Sequence, residues 1–268
     1  MNSSIQKKNN VSIEGNLNAE ETLIFAHGFG TDKSAWEKVK VGFENDYRLV
    51  LYDNVGAGKA DLAAYSPIKY STLQSYADDL LSIIVDLEVE KVKVIAHSVS
   101  SMIALLAATK VPSYFEKLVF VGASPRYLND EEQGYVGGFT QPALDSMYET
   151  MTTNYYAWVS GFSAAAMGNP DNPELGESFA RTLGAIRPDL ALAVAKVIFE
   201  SDLRAELTKL EVPTLLIQAQ EDIAVPKEVA YYLNQKIQNS KLVQVEATGH
   251  FPHMSAPEQV IAEIKAFV

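Results

Sequence analysis

Cysteine is absent from the 268-residue chain. That excludes disulfides, a thiolate nucleophile and cysteine-ligated zinc, and it accords with a reducing cytoplasm. Long apolar runs are also missing. No stretch of about 18 uncharged apolar residues exists, so no membrane-spanning helix is expected. The opening segment MNSSIQKKNN lacks the apolar core of a secretory signal. A cytoplasmic location is therefore expected. Basic residues are few: 22 Lys and Arg stand against 34 Asp and Glu, for a formal net charge of −12. Recognition of a phosphate backbone needs clustered positive charge, so neither nucleic acid nor a membrane surface is an expected partner. Histidine is scarce, with four in all. His250 and His253 lie close together, but no carboxylate or third histidine stands at ligand spacing, so no metal is expected. Internal repeats and low-complexity segments are lacking.

What is present is an ordinary globular composition, 47% hydrophobic and 21% charged. Short β-branched runs recur at Thr22–Ala26, Tyr47–Tyr52, Val92–Ile95, Leu118–Val121, Thr214–Ile217 and Lys241–Val245. They lack the alternation of half-exposed strands and suit strands buried on both faces. Helical patterns separate them at Ser34–Glu44, Thr72–Leu87, Ser98–Lys110, Lys227–Gln238 and Pro257–Val268. Alternation of this kind predicts an α/β fold around a mostly parallel sheet, with Val11–Glu14 as an antiparallel edge strand. The alternation breaks once. From about residue 126 to 207 no strand is expected, and the stretch is rich in aromatics. It reads as a helical insertion, or lid, in a core made of residues 1–125 and 208–268. Such an insertion would roof the carboxyl ends of the strands, where parallel sheets bind ligands.

Three strand ends carry chemistry. The first is Ala96-His97-Ser98-Val99-Ser100, where a strand gives way to a helix. One reading is a plain helix start capped by Ser98 or Ser100. The other is a nucleophile elbow, which needs small residues two before and two after a serine held at positive φ. A serine nucleophile also needs a base and an orienting carboxylate. Asp222 follows the run Thr214–Ile217, and His250 follows Lys241–Val245. The chain order Ser98, Asp222, His250 is that of α/β-hydrolases. Glu221 is a rival acid and His253 a rival base, although His253 reads better as a structural hydrogen-bonding residue. The third strand end is His27-Gly28-Phe29-Gly30, whose turn frees backbone N–H groups. The amides of Phe29 and Val99 are expected to form an oxyanion hole. The run Asp53-Asn54-Val55-Gly56-Ala57-Gly58 suggests a dinucleotide site, but Asp61 stands where its third glycine belongs, so no cofactor is expected.

"HGFG", "YDNVGAG", the elbow, "YLND", "GGF", "QAQEDIAV" and "GHFPHMSAP" occur here in one order and spacing that resembles RsbQ-like α/β-hydrolases. These are bacterial stress-signalling proteins related to plant karrikin and strigolactone receptors. The resemblance runs from about residue 10 to 268. It implies a Ser98–His250–Asp222 triad, a four-helix lid and an apolar pocket beneath it. It also implies action as a positive regulator of the general stress response, with a PAS-domain serine phosphatase as partner. The departure is at the elbow, where Ala96 and Ser100 replace the usual two glycines.

The expected activity is that of a serine hydrolase acting on a small hydrophobic ester or lactone. Phe29, Val99, Phe139, Trp158, Phe162, Phe199 and Phe251 are the expected pocket walls. Two alternatives stand beside it: a ligand-binding signalling partner with slow or vestigial hydrolysis, and a stand-alone carboxylesterase.

Overall fold

The computed structural model describes residues 3–268. A short helix, α1 (Ser4–Lys8), precedes the edge strand β1 (Ser12–Gly15), and β2 (Thr22–Ala26) follows. Next come α2 (Glu37–Lys40), β3 (Arg48–Tyr52), α3 (Gln74–Asp86), β4 (Val92–His97), α4 (Val99–Lys110) and β5 (Phe115–Val121). Four consecutive helices then intervene: α5 (Gln141–Thr153), α6 (Tyr155–Met167), α7 (Pro173–Gly184) and α8 (Pro188–Phe199). The sheet resumes with β6 (Thr214–Glu221), α9 (Lys227–Lys236) and β7 (Ser240–Thr248), and the chain closes on α10 (Pro252–Ser255) and α11 (Pro257–Lys265).

The seven strands lie in the order β1-β3-β2-β4-β5-β6-β7. β1 pairs antiparallel with β3 at the edge, and every other pairing is parallel. All residues of β2 and β4 are buried. Successive side chains of a strand point to opposite faces, and β2 shows the consequence. Leu23 and Phe25 join a core with Trp36, Phe43, Val260 and Ile264, while Ile24 and Ala26 join the larger core under α3, α4 and the inserted helices.

One expectation is corrected, and one element was not expected. The helix expected over 34–44 is a 3₁₀ turn, Lys33–Trp36, followed by the single turn of α2. Here Ala35, Trp36 and Val39 point into the core, and their burial outweighs the propensity for a longer helix. The short α1, capped by the Ser3 side chain, was not signalled by any apolar periodicity, since none of its residues is buried.

Candidate active site

Three strands deliver their carboxyl ends to one place. Ser98 follows β4 directly, at φ 54° and ψ −124°. A non-glycine residue held there carries strain that the surroundings must offset. The Ser98 amide donates to the Val121 carbonyl of the neighbouring strand at 2.8 Å, which helps hold the elbow. Ser98 occupies the position before α4 but makes no capping bond. Its Oγ instead lies 2.8 Å from His250 Nε2. On the other side of the ring, His250 Nδ1 lies 2.8 Å from Asp222 Oδ2. The carboxylate accepts the Nδ1 proton, which leaves Nε2 to accept from Ser98.

Asp222 is fixed in turn. Its Oδ1 accepts the amides of Ala224 and Val225 at 2.9 and 3.0 Å. It is thus both a turn former and the partner of His250, and its side chain is 1% exposed. The rival Glu221 is exposed, its side chain makes no hydrogen bond among the described residues, and its backbone carbonyl accepts from Gly249. His253 is buried against Trp36 and His97, with ring centroids 4.4 Å away in each case. Neither of its ring nitrogens has a partner among the described residues. Its role is packing, which corrects the expectation of a hydrogen-bonding residue.

The two glycine positions of the elbow are filled without displacing Ser98. Ala96 is completely buried in β4. Ser100 does not cap α4; its hydroxyl donates to the His27 carbonyl at 2.5 Å and accepts from Asn54 Nδ2 at 3.1 Å. The same amide group also donates to the His27 carbonyl, and the Asn54 backbone N–H donates to His27 Nε2. Burial lowers the His27 pKa, so the neutral ring accepts at Nε2 and donates from Nδ1 to the Gly28 carbonyl. This network anchors the turn that presents the Phe29 amide. Gly30 in that turn has φ +76°, and a Cβ there would lie 2.8 Å from the Phe179 ring of α7. Neither the Phe29 nor the Val99 amide has a hydrogen-bond partner among the described residues. Beside β3, the carboxylate of Asp53 accepts the amides of Lys33 and Lys59 and the side chain of Asn10, a structural hub for the glycine-rich loop.

Tyr127 is a site residue that sequence reasoning missed. Its hydroxyl lies 3.1 Å from Ser98 Oγ. Ser98 Oγ gives its one proton to His250 Nε2, so the Tyr127 phenol, whose pKa burial pushes up to about 12, donates to Ser98. No periodicity or spacing marks a lone loop tyrosine for this position.

Ser98, Tyr127 and His250 line a small apolar chamber, with Phe29, Phe162, Phe199 and Phe251 among its walls. Val99 faces a second, neighbouring cavity that Phe29 also lines. Phe139 and Trp158, expected on the pocket wall, stand one layer behind it. Trp158 stacks on Phe162 at 5.0 Å, and Phe139 packs on Phe199 at 5.4 Å. The insertion also grips the histidine loop: the His250 amide donates to the Ala166 carbonyl of α6 at 2.7 Å.

No helix is long and apolar enough to cross a membrane among the described residues, and no cluster of metal-ligating side chains occurs among them.

Residues 21–257 match the α/β-hydrolase fold family. The chain is 43% identical over 258 residues to a karrikin insensitive 2 receptor of Petunia hybrida, covering 96% of this chain and 94% of that one. It is 42% identical over 252 residues to a strigolactone esterase of Arabidopsis thaliana, with 94% and 92% covered. Among solved structures, a hydrolase from Oleispira antarctica superposes with a TM-score of 0.95 at 32% identity, covering 98% of this chain and 96% of that one. A mostly parallel seven-stranded sheet and a match that runs almost end to end give one conclusion: the chain belongs to the α/β-hydrolase family.

Proposed function

We propose that this protein is a serine hydrolase that cleaves a small, apolar carboxylic ester or lactone, with Ser98 as nucleophile, His250 as base and Asp222 as the orienting acid. The observation that carries the reading is the unbroken relay from Ser98 Oγ through the imidazole to Asp222, with both links at 2.8 Å. His250 takes the Ser98 proton as Oγ attacks the carbonyl carbon. The amides of Phe29 and Val99 receive the oxyanion. As the tetrahedral intermediate collapses, the bond to the alkoxy oxygen breaks and His250 returns the proton to it. Water, deprotonated by the same imidazole, then releases the acid and restores the Ser98 hydroxyl. Asp222 holds the ring in the required tautomer and stabilises its charged form. Apolar walls disfavour charged substrates. The helices α5–α8 serve as a lid.

The test is hydrolysis of p-nitrophenyl acetate. Ser98→Ala is expected to reduce turnover to background, a loss of roughly 10⁵-fold or more. A variant that keeps the wild-type rate would show that another group attacks.

A second reading has a specific observation behind it: relatives of nearly equal identity include both a receptor and an esterase. In this reading the protein is an RsbQ-like cytoplasmic regulator that acts with a PAS-domain phosphatase in a stress response, and its hydrolysis is slow. Co-precipitation with such a phosphatase, with a signalling assay of wild type against Ser98→Ala, separates the two. A signal that needs Ser98 ties regulation to catalysis. Loss of partner binding in both proteins would count against the regulator, and a stand-alone carboxylesterase would remain.

A further inference from the structure

A second apolar cleft lies behind the oxyanion turn, beside the chamber that holds His250, and Val55, Leu73, Ile103, Ala191 and Val194 are among its walls. Phe29 and Ile198 line both spaces, so the two adjoin there. Gly28, Phe29 and Val99 border this second space, so it opens beside the two free amides. Of the polar side chains on its wall, the His27 ring accepts from the Asn54 backbone N–H and Asn54 Nδ2 donates to the His27 carbonyl. Tyr76 is held protonated by burial, and its hydroxyl has no partner among the described residues. The wall therefore presents no charged group.

We propose that this cleft is the acyl site, and that the substrate is an ester with an uncharged aliphatic acyl chain. The inference rests on the Ser98 reading. His250 must reach the departing alkoxy oxygen to protonate it, and His250, Phe251 and Ala166 all line the chamber under α6. The alcohol portion thus belongs in that chamber. The oxyanion is pinned between Phe29 and Val99, so the remaining substituent of the carbonyl carbon points past them, into the second cavity. An apolar wall rewards each added methylene and disfavours a carboxylate or ammonium.

The test compares p-nitrophenyl acetate with p-nitrophenyl hexanoate. Both have the same leaving group, so their kcat/KM ratio reads the acyl site alone. Val194 is half-buried on the cavity wall, and Val194→Phe fills the space without touching Ser98, His250 or Asp222. In wild type the hexanoate is expected to be the better substrate. In Val194→Phe its kcat/KM should fall about tenfold or more while that of the acetate stays within about twofold. An unchanged ratio, or an equal loss on both esters, overturns the proposal. A second measurement uses the unaltered chain: a crystal structure after reaction with p-nitrophenyl methyl hexylphosphonate, which displaces nitrophenol and links phosphorus to Ser98 Oγ. The hexyl chain should lie between Leu73 and Val194. A chain lying against Phe162 and Phe251 refutes the assignment. Failure of the Ser98 reading looks different, because Ser98→Ala would then keep its ester hydrolysis whatever the chain-length ratio.

Discussion

The Ser100 hydroxyl donates to the carbonyl of His27, joining the first turn of the helix behind Ser98 to the turn that presents the Phe29 amide. A glycine at this position leaves the two elements packed but unlinked. The serine therefore adds a tether that a glycine could not make. Its hydroxyl is fully buried, and Asn54 Nδ2 donates to both of the atoms it joins. Ser100→Ala is expected to cost about 1 kcal/mol, because the His27 carbonyl keeps the Asn54 bond and is not orphaned. The looser Phe29 turn should lower kcat several-fold with KM nearly constant, since the oxyanion forms only in the transition state. Urea denaturation and steady-state kinetics on one preparation check both, and a KM effect without a kcat effect would refute the tether's catalytic part.

Tyr127 touches the same serine from the insertion side. While Ser98 is free, the phenol donates to Oγ. Once Oγ is bonded to the carbonyl carbon in the tetrahedral intermediate it becomes a poor acceptor, and the phenol can turn its hydrogen bond to the departing alkoxy oxygen while His250 supplies the proton. Tyr127→Phe should therefore slow alkyl esters more than nitrophenyl esters, which leave without help. The expected loss is about tenfold for an ethyl ester and under about threefold for a nitrophenyl ester. Equal losses would assign Tyr127 to packing alone.

Behind the site lies a proton-sensitive packing unit. Burial, with the nearby His250, pushes the His253 pKa down to about 3, and burial holds His97 well below 6.5. In the unfolded chain both titrate near 6.5. Below that value the unfolded chain binds more protons than the folded one, so stability falls with pH. The loss runs from about pH 6.5 down toward the folded value of about 3. Each such histidine contributes a slope of about 1.4 kcal/mol per pH unit. His253→Phe keeps a ring against Trp36 and removes one titrating group. Denaturation midpoints between pH 7 and 5 should then depend less steeply on pH than in wild type. An identical slope would mean that His253 takes up no proton on unfolding.

How much of this was visible before folding varies with distance along the chain. Ser98, Asp222, His250 and the Gly28–Gly30 turn each follow a β-branched run, so local pattern alone puts them at strand ends. A parallel sheet then collects those ends on one side. The insertion was legible only as an absence of strands. Which of its aromatics face the chamber depends on how four helices pack, and neighbouring positions diverge: Phe162 is on the wall while Trp158, one turn away, backs it. Tyr127 and the cleft behind the Phe29 turn depend on tertiary placement too, and no spacing rule reports it. The 3₁₀ turn at Lys33–Trp36 has the same cause, because apolar spacing there fits a helix until Trp36 finds its slot against Phe25 and His253.

Gly249 tests whether the insertion positions the imidazole. It precedes His250 with φ +94°, and a Cβ there would lie 1.9 Å from the Met167 carbonyl at the end of α6. That carbonyl is backbone, so it yields only if α6 shifts. The His250 amide is held by Ala166 of the same helix, and Asn169 Nδ2 bonds the carbonyls of Met167 and Thr248. Gly249→Ala therefore has two unfavourable terms, the left-handed backbone and the clash, and should destabilise the fold by about 2 kcal/mol or more. Relief of the clash must push the histidine loop and α6 apart, lengthening the 2.8 Å contact between His250 and Ser98. Activity is thus expected to fall by far more than the unfolded fraction explains, and a folded variant with wild-type kcat would show that the imidazole is placed by β7 and Asp222 without the insertion.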